Sequence, residues 1–198
     1  MLHALDLLST FAFALVGARI AANRKMDYAG IALIALVASV SGGTLRNVFL
    51  GIKPIWITDL WVISVVLLAV VITLVSGRVE IGKWLLVLDT FGLAIATISG
   101  TLFSYEQDTT WYAAIMLGVI TAVTGGLLRD VLCQVEPVLL HRETIGTSSF
   151  VGAVTFVALT HFNLGDSGLS YAAFIGGALV VLTRFVSIKF NLNLPRLK

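Results

Sequence analysis

One cysteine stands in 198 residues, which excludes a disulfide framework and a cysteine-ligated zinc site. Charge is scarce as well. Charged residues make up 12% of the chain, where a soluble domain carries about a quarter. That deficit excludes an ordinary water-soluble globule, a disordered chain and a nucleic-acid binder. The formal net charge of +2 is too small to imply a polyanionic partner. The three histidines, His3, His141 and His161, stand far apart, so no metal site is expected. What the chain does have is apolar sequence: 58% of its residues are hydrophobic and its mean hydropathy is +1.00. The class that remains is a polytopic membrane protein.

Seven apolar segments can be marked, at about residues 5–22, 28–50, 55–75, 84–103, 111–133, 144–160 and 169–186. A helix needs about 20 residues to cross a bilayer, so seven helices use roughly 140 residues and leave no room for a soluble catalytic domain. Backbone polar groups in lipid must be satisfied internally, which allows helices or a closed barrel. The runs are continuous and lack the alternation of barrel strands, so they predict helices. The first does not read as a secretory signal: it has no basic start, Asp6 interrupts it, and Arg19, Arg24 and Lys25 come late or after it.

Seven spans put the N-terminus on the side of the loops after spans two, four and six. That side carries Lys53 together with Asp59, Glu106, Asp108 and Asp166. The other side carries Arg19, Arg24, Lys25, Arg78, Lys83, Arg142, Arg184, Lys189, Arg196 and Lys198, leaving Arg46 and Arg129 in the spans. The bias of ten to one predicts an N-terminus outside and a C-terminus in the cytoplasm.

The chain aligns with itself, without a gap, at one constant offset, that of Gly125 from Gly42. Leu5-Asp6 meets Leu88-Asp89, Gly42-Gly43 meets Gly125-Gly126, Leu45-Arg46 meets Leu128-Arg129, and Pro54 meets Pro137. The expected domain organisation is a single transmembrane domain: one repeat over about 1–83, a second over about 84–166, and a final helix over about 167–190. Three helices per repeat is an odd number, so the second repeat enters the membrane upside down. Inverted repeats around a midplane site are a transport architecture. The fold class expected is therefore all-α, with seven transmembrane helices as two inverted three-helix repeats plus a seventh. A duplicated structural module with no path through it is the plainer alternative.

The repeated motifs are Ser41-Gly42-Gly43-Thr44-Leu45-Arg46-Asn47 and Thr124-Gly125-Gly126-Leu127-Leu128-Arg129-Asp130. Each glycine pair falls inside a long apolar run, where paired glycines are a recognised cause of kinks. A kink frees carbonyls one turn earlier, around residues 38–41 and 120–124, and carbonyls with the nearby Ser41 and Thr124 hydroxyls are hard oxygen ligands. Transient potassium sites near Gly42 and Gly125 follow. The alternative is that glycine lets helices pack closely. Two copies in inverted register, each followed by an arginine, favour the pathway.

Arg46 and Arg129 need partners, because an arginine at the membrane centre costs about 2.5–3.5 kcal/mol on insertion scales. Antiparallel neighbours put Asp6 and Arg46 at the same outer depth, and the repeat gives Asp89 and Arg129 the same relation at the inner side. Two pairs are predicted, Asp6 with Arg46 and Asp89 with Arg129, either as gates at the two ends of a path or as mutual neutralisation. Asp130, opposite Asn47 in the repeat, is an inner cation attractor or a second partner for Arg129. Pro54 and Pro137 are expected to stop spans two and five. Trp56, Trp61, Trp84 and Trp111 read as interfacial anchors, and Cys133 as a packed apolar residue.

With these residues in view the chain resembles the prokaryotic trimeric intracellular cation (TRIC) channel family, which overlaps a bacterial family of glycine-transporter-like membrane proteins. The resemblance covers almost the whole chain and rests on the doubled Gly-Gly-x-Leu-Arg-[Asn/Asp]-Val motif, at residues 42–48 and 125–131, and the prolines that follow. It implies a homotrimer in a cell membrane with one pore per protomer, lined by spans two and five kinked at Gly42-Gly43 and Gly125-Gly126. It implies conduction of potassium or sodium, chiefly potassium, with no cofactor and with membrane lipids as surroundings. Animal members bind a phosphoinositide through a basic residue near the second pair. Arg129 is the nearest match here, but a bacterial-type membrane need not contain that lipid, and the property is not carried over.

Four functions compete. A passive potassium-permeable channel needs sites weak enough to leave, which carbonyls and hydroxyls supply. A secondary transporter of a small solute such as glycine would use the same broken helices. An intramembrane enzyme would need a nucleophile with its base, or converging metal ligands, and neither pattern is in the sequence. A purely structural scaffold leaves the duplicated polar breaks unexplained.

Overall fold

The computed structural model describes residues 2–77, 83–135, 145–161 and 165–190, with Lys83 and residues 165–168 described by their backbone alone. Eight helices run through the described residues: α1 (Leu2–Asn23), α2 (Tyr28–Phe49), α3 (Ile55–Thr58), α4 (Leu60–Ser76), α5 (Lys83–Glu106), α6 (Trp111–Leu132), α7 (Ile145–His161) and α8 (Gly165–Phe190). Five of them, α1, α2, α5, α6 and α8, are long and apolar enough to cross a membrane, while α4 and α7 are shorter apolar helices. The first and last residues of α6 are the repeat counterparts of the first and last residues of α2.

The helix ends follow local chemistry. Asp27 caps α2 by accepting from the Gly30 amide at 2.7 Å. At the other end the Ile52 amide bonds the Asn47 carbonyl and the Gly51 amide bonds that of Val48, with Gly51 at φ +69°. This is a Schellman stop, which needs a left-handed residue at its turn. It ends α2 at Phe49, so Pro54 is not the stop the sequence predicts; Pro54 instead N-caps α3. The same bonds recur after α6, from Val135 to Asp130 and from Gln134 to Val131. Pro137 lies outside the described residues, as do Arg78, His141, Arg142, Arg196 and Lys198.

The third apolar segment is not one helix. Asp59 breaks it with extended backbone and caps α4 through a 2.9 Å bond from the Trp61 amide. Aspartate competes with the helix for backbone amides and so begins a new one. Arg184 needs a second correction. It is no loop residue but is buried in α8 at 1% exposure, so it leaves the positive-inside count.

The bundle packs α1 on α2, α5 on α6, and α7 on α8, with α2 crossing α6 and α1 crossing α5. Its core is built largely of small residues, among them Ala14, Ala18, Ala21, Ala35 and Ala69, all fully buried. Small side chains let helix backbones approach where lipid offers no hydrophobic drive between helices. The outward faces carry large apolar residues, Phe174, Leu67, Val71 and Phe185 among them. Trp61, Trp84 and Trp111 are exposed near helix starts.

Candidate functional site

The site is built where α2 crosses α6. A side chain on Gly42 would run into the backbone carbonyl of Thr121, and one on Gly125 into the carbonyl of Ala38. Ala38 and Thr121 are themselves repeat counterparts, so each helix offers the other the same contact. Such reciprocity is what a local two-fold axis produces. Both helices remain α-helical without interruption through their glycine pairs. Close approach of the two helices is the visible role of the first glycine in each pair. The carbonyls at the crossing lie against the opposite helix. Gly43 and Gly126 are different: a side-chain carbon added there would meet only Arg46 Nη2 at 4.0 Å and Arg129 Nη2 at 3.7 Å. Thr124 donates to the Ile120 carbonyl at 2.6 Å. Ser41 Oγ is buried with no hydrogen-bond partner among the described residues.

One turn beyond the glycines, each helix carries its arginine. Arg129 Nη1 lies 2.7 Å from Asp89 Oδ1, and its Nε donates to Asp130 Oδ1 at 2.8 Å. Arg46 repeats the second contact, donating from Nε to Asn47 Oδ1 at 3.0 Å. Its approach to Asp6 is looser, 3.8 Å from Nη2 to Oδ2. The structure thus brings Asp89, Arg129 and Asp130 into one contact group and sets Asp6 beside Arg46 at longer range. Among the described residues no group of three or more His, Cys, Asp or Glu side chains is placed to hold a metal ion.

Each pair lines a cavity. The one beside Arg46, called outer after the orientation expected from the charge bias, is bounded by Asp6, Ser9, Thr10, Phe13, Ser39, Val40, Gly43, Thr44, Arg46 and Val62, together with Ala38, Gly42, Ile55, Trp56, Ala96 and Thr121. The inner one is bounded by Phe13, Asp89, Leu93, Ala122, Val123, Gly126, Leu127, Arg129, Asp130 and Ile145. All the inner residues but Asp130 are repeat counterparts of outer ones. The two cavities differ in chemistry: Thr10, Ser39 and Thr44 outside correspond to Leu93, Ala122 and Leu127 inside. They differ in size too. Volume open to water centres is about 60 Å³ outside and about 20 Å³ inside, where one water needs about 10–15 Å³.

A doubled site of this kind matches known proteins. The family profile described as Glycine transporter matches the chain twice, over residues 3–78 and 86–161. The chain belongs to this family. Relatives include the inner membrane protein YadS of Escherichia coli, 32% identical over 98% of this chain and 95% of its own length. A membrane protein of Vibrio cholerae is 34% identical over 98% of this chain and 82% of its own. The fold is that of the TRIC channels. The crystal structure of a TRIC trimeric intracellular cation channel orthologue from Rhodobacter sphaeroides superposes with a TM-score of 0.90, at 32% identity over 96% of this chain and 98% of that one. A second TRIC cation channel superposes with a TM-score of 0.86 at 27% identity, over 99% and 97%. The chain is accordingly an all-helical membrane protein of the TRIC fold.

Three features of this family member escape the sequence reading. Arg184 of α8 reaches Asp89 Oδ2 at 3.3 Å and donates from Nε to Thr90 Oγ1 at 2.9 Å. It lies inside the last apolar segment, where an arginine is itself a signal. The Arg46 guanidinium lies 4.0 Å over the ring of Phe103, a cation–π contact that offsets its looser carboxylate. His3 Nε2 lies 2.6 Å from Asp59, tying the first turn of α1 to the start of α4. No spacing in the sequence announces either of these last two contacts.

Proposed function

We propose that the chain is a passive channel for monovalent cations, chiefly potassium, with one pore in each protomer of a homotrimer, lined by α2 and α6. The observation that carries this reading is the pair of cavities stacked on either side of the α2–α6 crossing, each with its own arginine and aspartate. Seven spans result when α3 and α4 count as one: two inverted three-helix repeats, over about 1–83 and 84–166, and a last helix over about 167–190. With Arg184 removed from the count, the charge bias still places the N-terminus outside. The similarity to proteins named as TRIC cation channels supports the same reading.

An ion would enter the outer cavity past Asp6. The hydroxyls of Ser9 and Ser39 donate to carbonyls of their own helix, which leaves oxygen lone pairs for a cation; Thr44 donates likewise but also accepts from Trp56 Nε1 at 3.0 Å. Such ligands hold an ion without trapping it. The arginines neutralise the carboxylates and narrow the path at each end. The inner cavity, clamped by Arg129 and Arg184 on Asp89, is the narrower of the two.

The test is a planar-bilayer recording of the purified protein across a potassium chloride gradient. Discrete steps reversing near the potassium equilibrium potential support the channel. A second reading is a carrier of a small zwitterion such as glycine. It draws on Arg46 Nη1, which is buried with no hydrogen-bond partner among the described residues, beside the Asp6 carboxylate. Together they would hold a carboxylate and an ammonium. Uptake of radiolabelled glycine into liposomes, with no discrete current steps, would favour the carrier.

A further inference from the structure

Among the described residues, Phe13 is the one side chain that lines both cavities. It is 4% exposed and packs in a single apolar cluster with Leu93, Ala96, Ala122 and Ile145. Gly92 makes room for it: a methyl group there would stand 3.4 Å from the ring Cε1. Two things therefore stand between the outer and inner cavities. One is the α2–α6 crossing, where backbone meets backbone and nothing can rotate aside. The other is a phenyl ring that turns about two side-chain bonds. Its repeat counterpart is Ala96, so the ring is supplied once, from α1, and the two halves of the site are unequal at this point.

Building on the channel reading above, we propose that the Phe13 ring is the barrier between the two cavities and that its displacement joins them into one path. An apolar collar between two polar compartments stops ions by excluding the water they need. The charged pairs lie beyond it on both sides: Asp6 with Arg46 outside, Asp89 with Arg129 inside. They set which ion arrives, and Phe13 sets whether it crosses. A phenyl ring has no hydrogen bond to break when it turns, so it moves at lower cost than either helix.

The test measures potassium flux from liposomes and single-channel open probability for wild type, Phe13→Ala, Phe13→Leu and Ala96→Phe, each first checked for native assembly by gel filtration. Phe13→Ala is expected to raise flux about tenfold, equivalent to about 1.4 kcal/mol of barrier. Phe13→Leu, which keeps the cluster apolar and filled, should raise it less, and Ala96→Phe should lower it. Assembled Phe13→Ala or Phe13→Leu protein with wild-type flux overturns the barrier while leaving the channel standing. If Phe13→Ala does not assemble, Phe13→Leu decides alone. Silence in wild type and in both assembled Phe13 variants overturns the channel reading together with the barrier.

Discussion

Gly42 lies against the backbone carbonyl of Thr121 with no space for even a methyl group, and Gly125 lies in the same way against Ala38. The two helices thus touch backbone to backbone at one point, and the cavities lie to either side of it. Gly43 and Gly126 line those cavities, and a side-chain carbon added at either would meet only a guanidinium nitrogen.

The four glycines should therefore separate into two classes. Gly42→Leu and Gly125→Leu force the helices apart, and overpacking of this kind costs about 1–3 kcal/mol or more. Thermal unfolding in detergent should show that loss, together with poor assembly. Gly126→Leu should fold, since its side chain enters the inner cavity, and should reduce potassium flux. Equal damage to folding from all three substitutions would count against this division.

The two charge pairs should not be equal in strength. Asp89 meets Arg129 at 2.7 Å and Arg184 at 3.3 Å, while Asp6 stands 3.8 Å from Arg46. Asp89→Asn removes the carboxylate charge that Arg129 and Arg184 share. Breaking a buried pair costs about 3–5 kcal/mol, and Asp89→Asn should fall in that range with Asp6→Asn well below it. For the same reason the exchange Asp89→Arg with Arg129→Asp should restore only part of the stability lost in the single variants, because the new arginine faces Arg184. Thermal unfolding of the variants in one detergent checks both expectations.

Much of this arrangement is legible in the sequence because it is written twice. The constant offset between the two copies sets Asp6 beside Arg46 and Asp89 beside Arg129, and the apolar runs mark each long helix to within a few residues. What is not legible lies where the repeat is broken. Arg184 belongs to the helix outside the repeat, so no counterpart points to its partner. Phe13 reads as one more apolar residue in α1, and only the cavities on its two sides distinguish it. Asp59 splits an apolar segment because a carboxylate caps the following helix, a local event that hydropathy averages away. The glycine pairs suggest a kink, but that the first glycine of each pair meets the opposite helix's backbone carbonyl is visible only in the structure.

The stops after α2 and α6 offer a test of backbone strain. Gly51 holds φ +69° without cost, while its counterpart Gln134 holds φ 52°, where a side chain is disfavoured by about 1–2 kcal/mol. Gln134→Gly should therefore stabilise the protein by about 1 kcal/mol, and Gly51→Gln should destabilise it by a similar amount. Paired unfolding midpoints in one detergent would reveal the opposite signs.

The inner cluster is electrically balanced, with Arg129 and Arg184 against Asp89 and Asp130, and the outer one is balanced by Arg46 against Asp6. Removing a charge from the inner cluster should therefore change ion preference in a predictable direction. Arg184→Gln leaves a net negative group beside the narrower cavity and frees Asp89 Oδ2, so cation flux should rise and the reversal potential should move closer to that of potassium. Asp130→Asn does the reverse: it gives the inner half the neutral residue that Asn47 supplies outside, leaves a net positive group, and should lower cation flux several-fold. Because Asp130 also accepts from Arg129 Nε at 2.8 Å, and Asn47 accepts from Arg46 in the same way, asparagine keeps that hydrogen bond and removes only the charge. Bi-ionic recordings of the two variants under one gradient separate the cases. Shifts of opposite sign place the inner cluster in the ion path, whereas identical reversal potentials in wild type and both variants would take it out of the path and leave it a structural clamp.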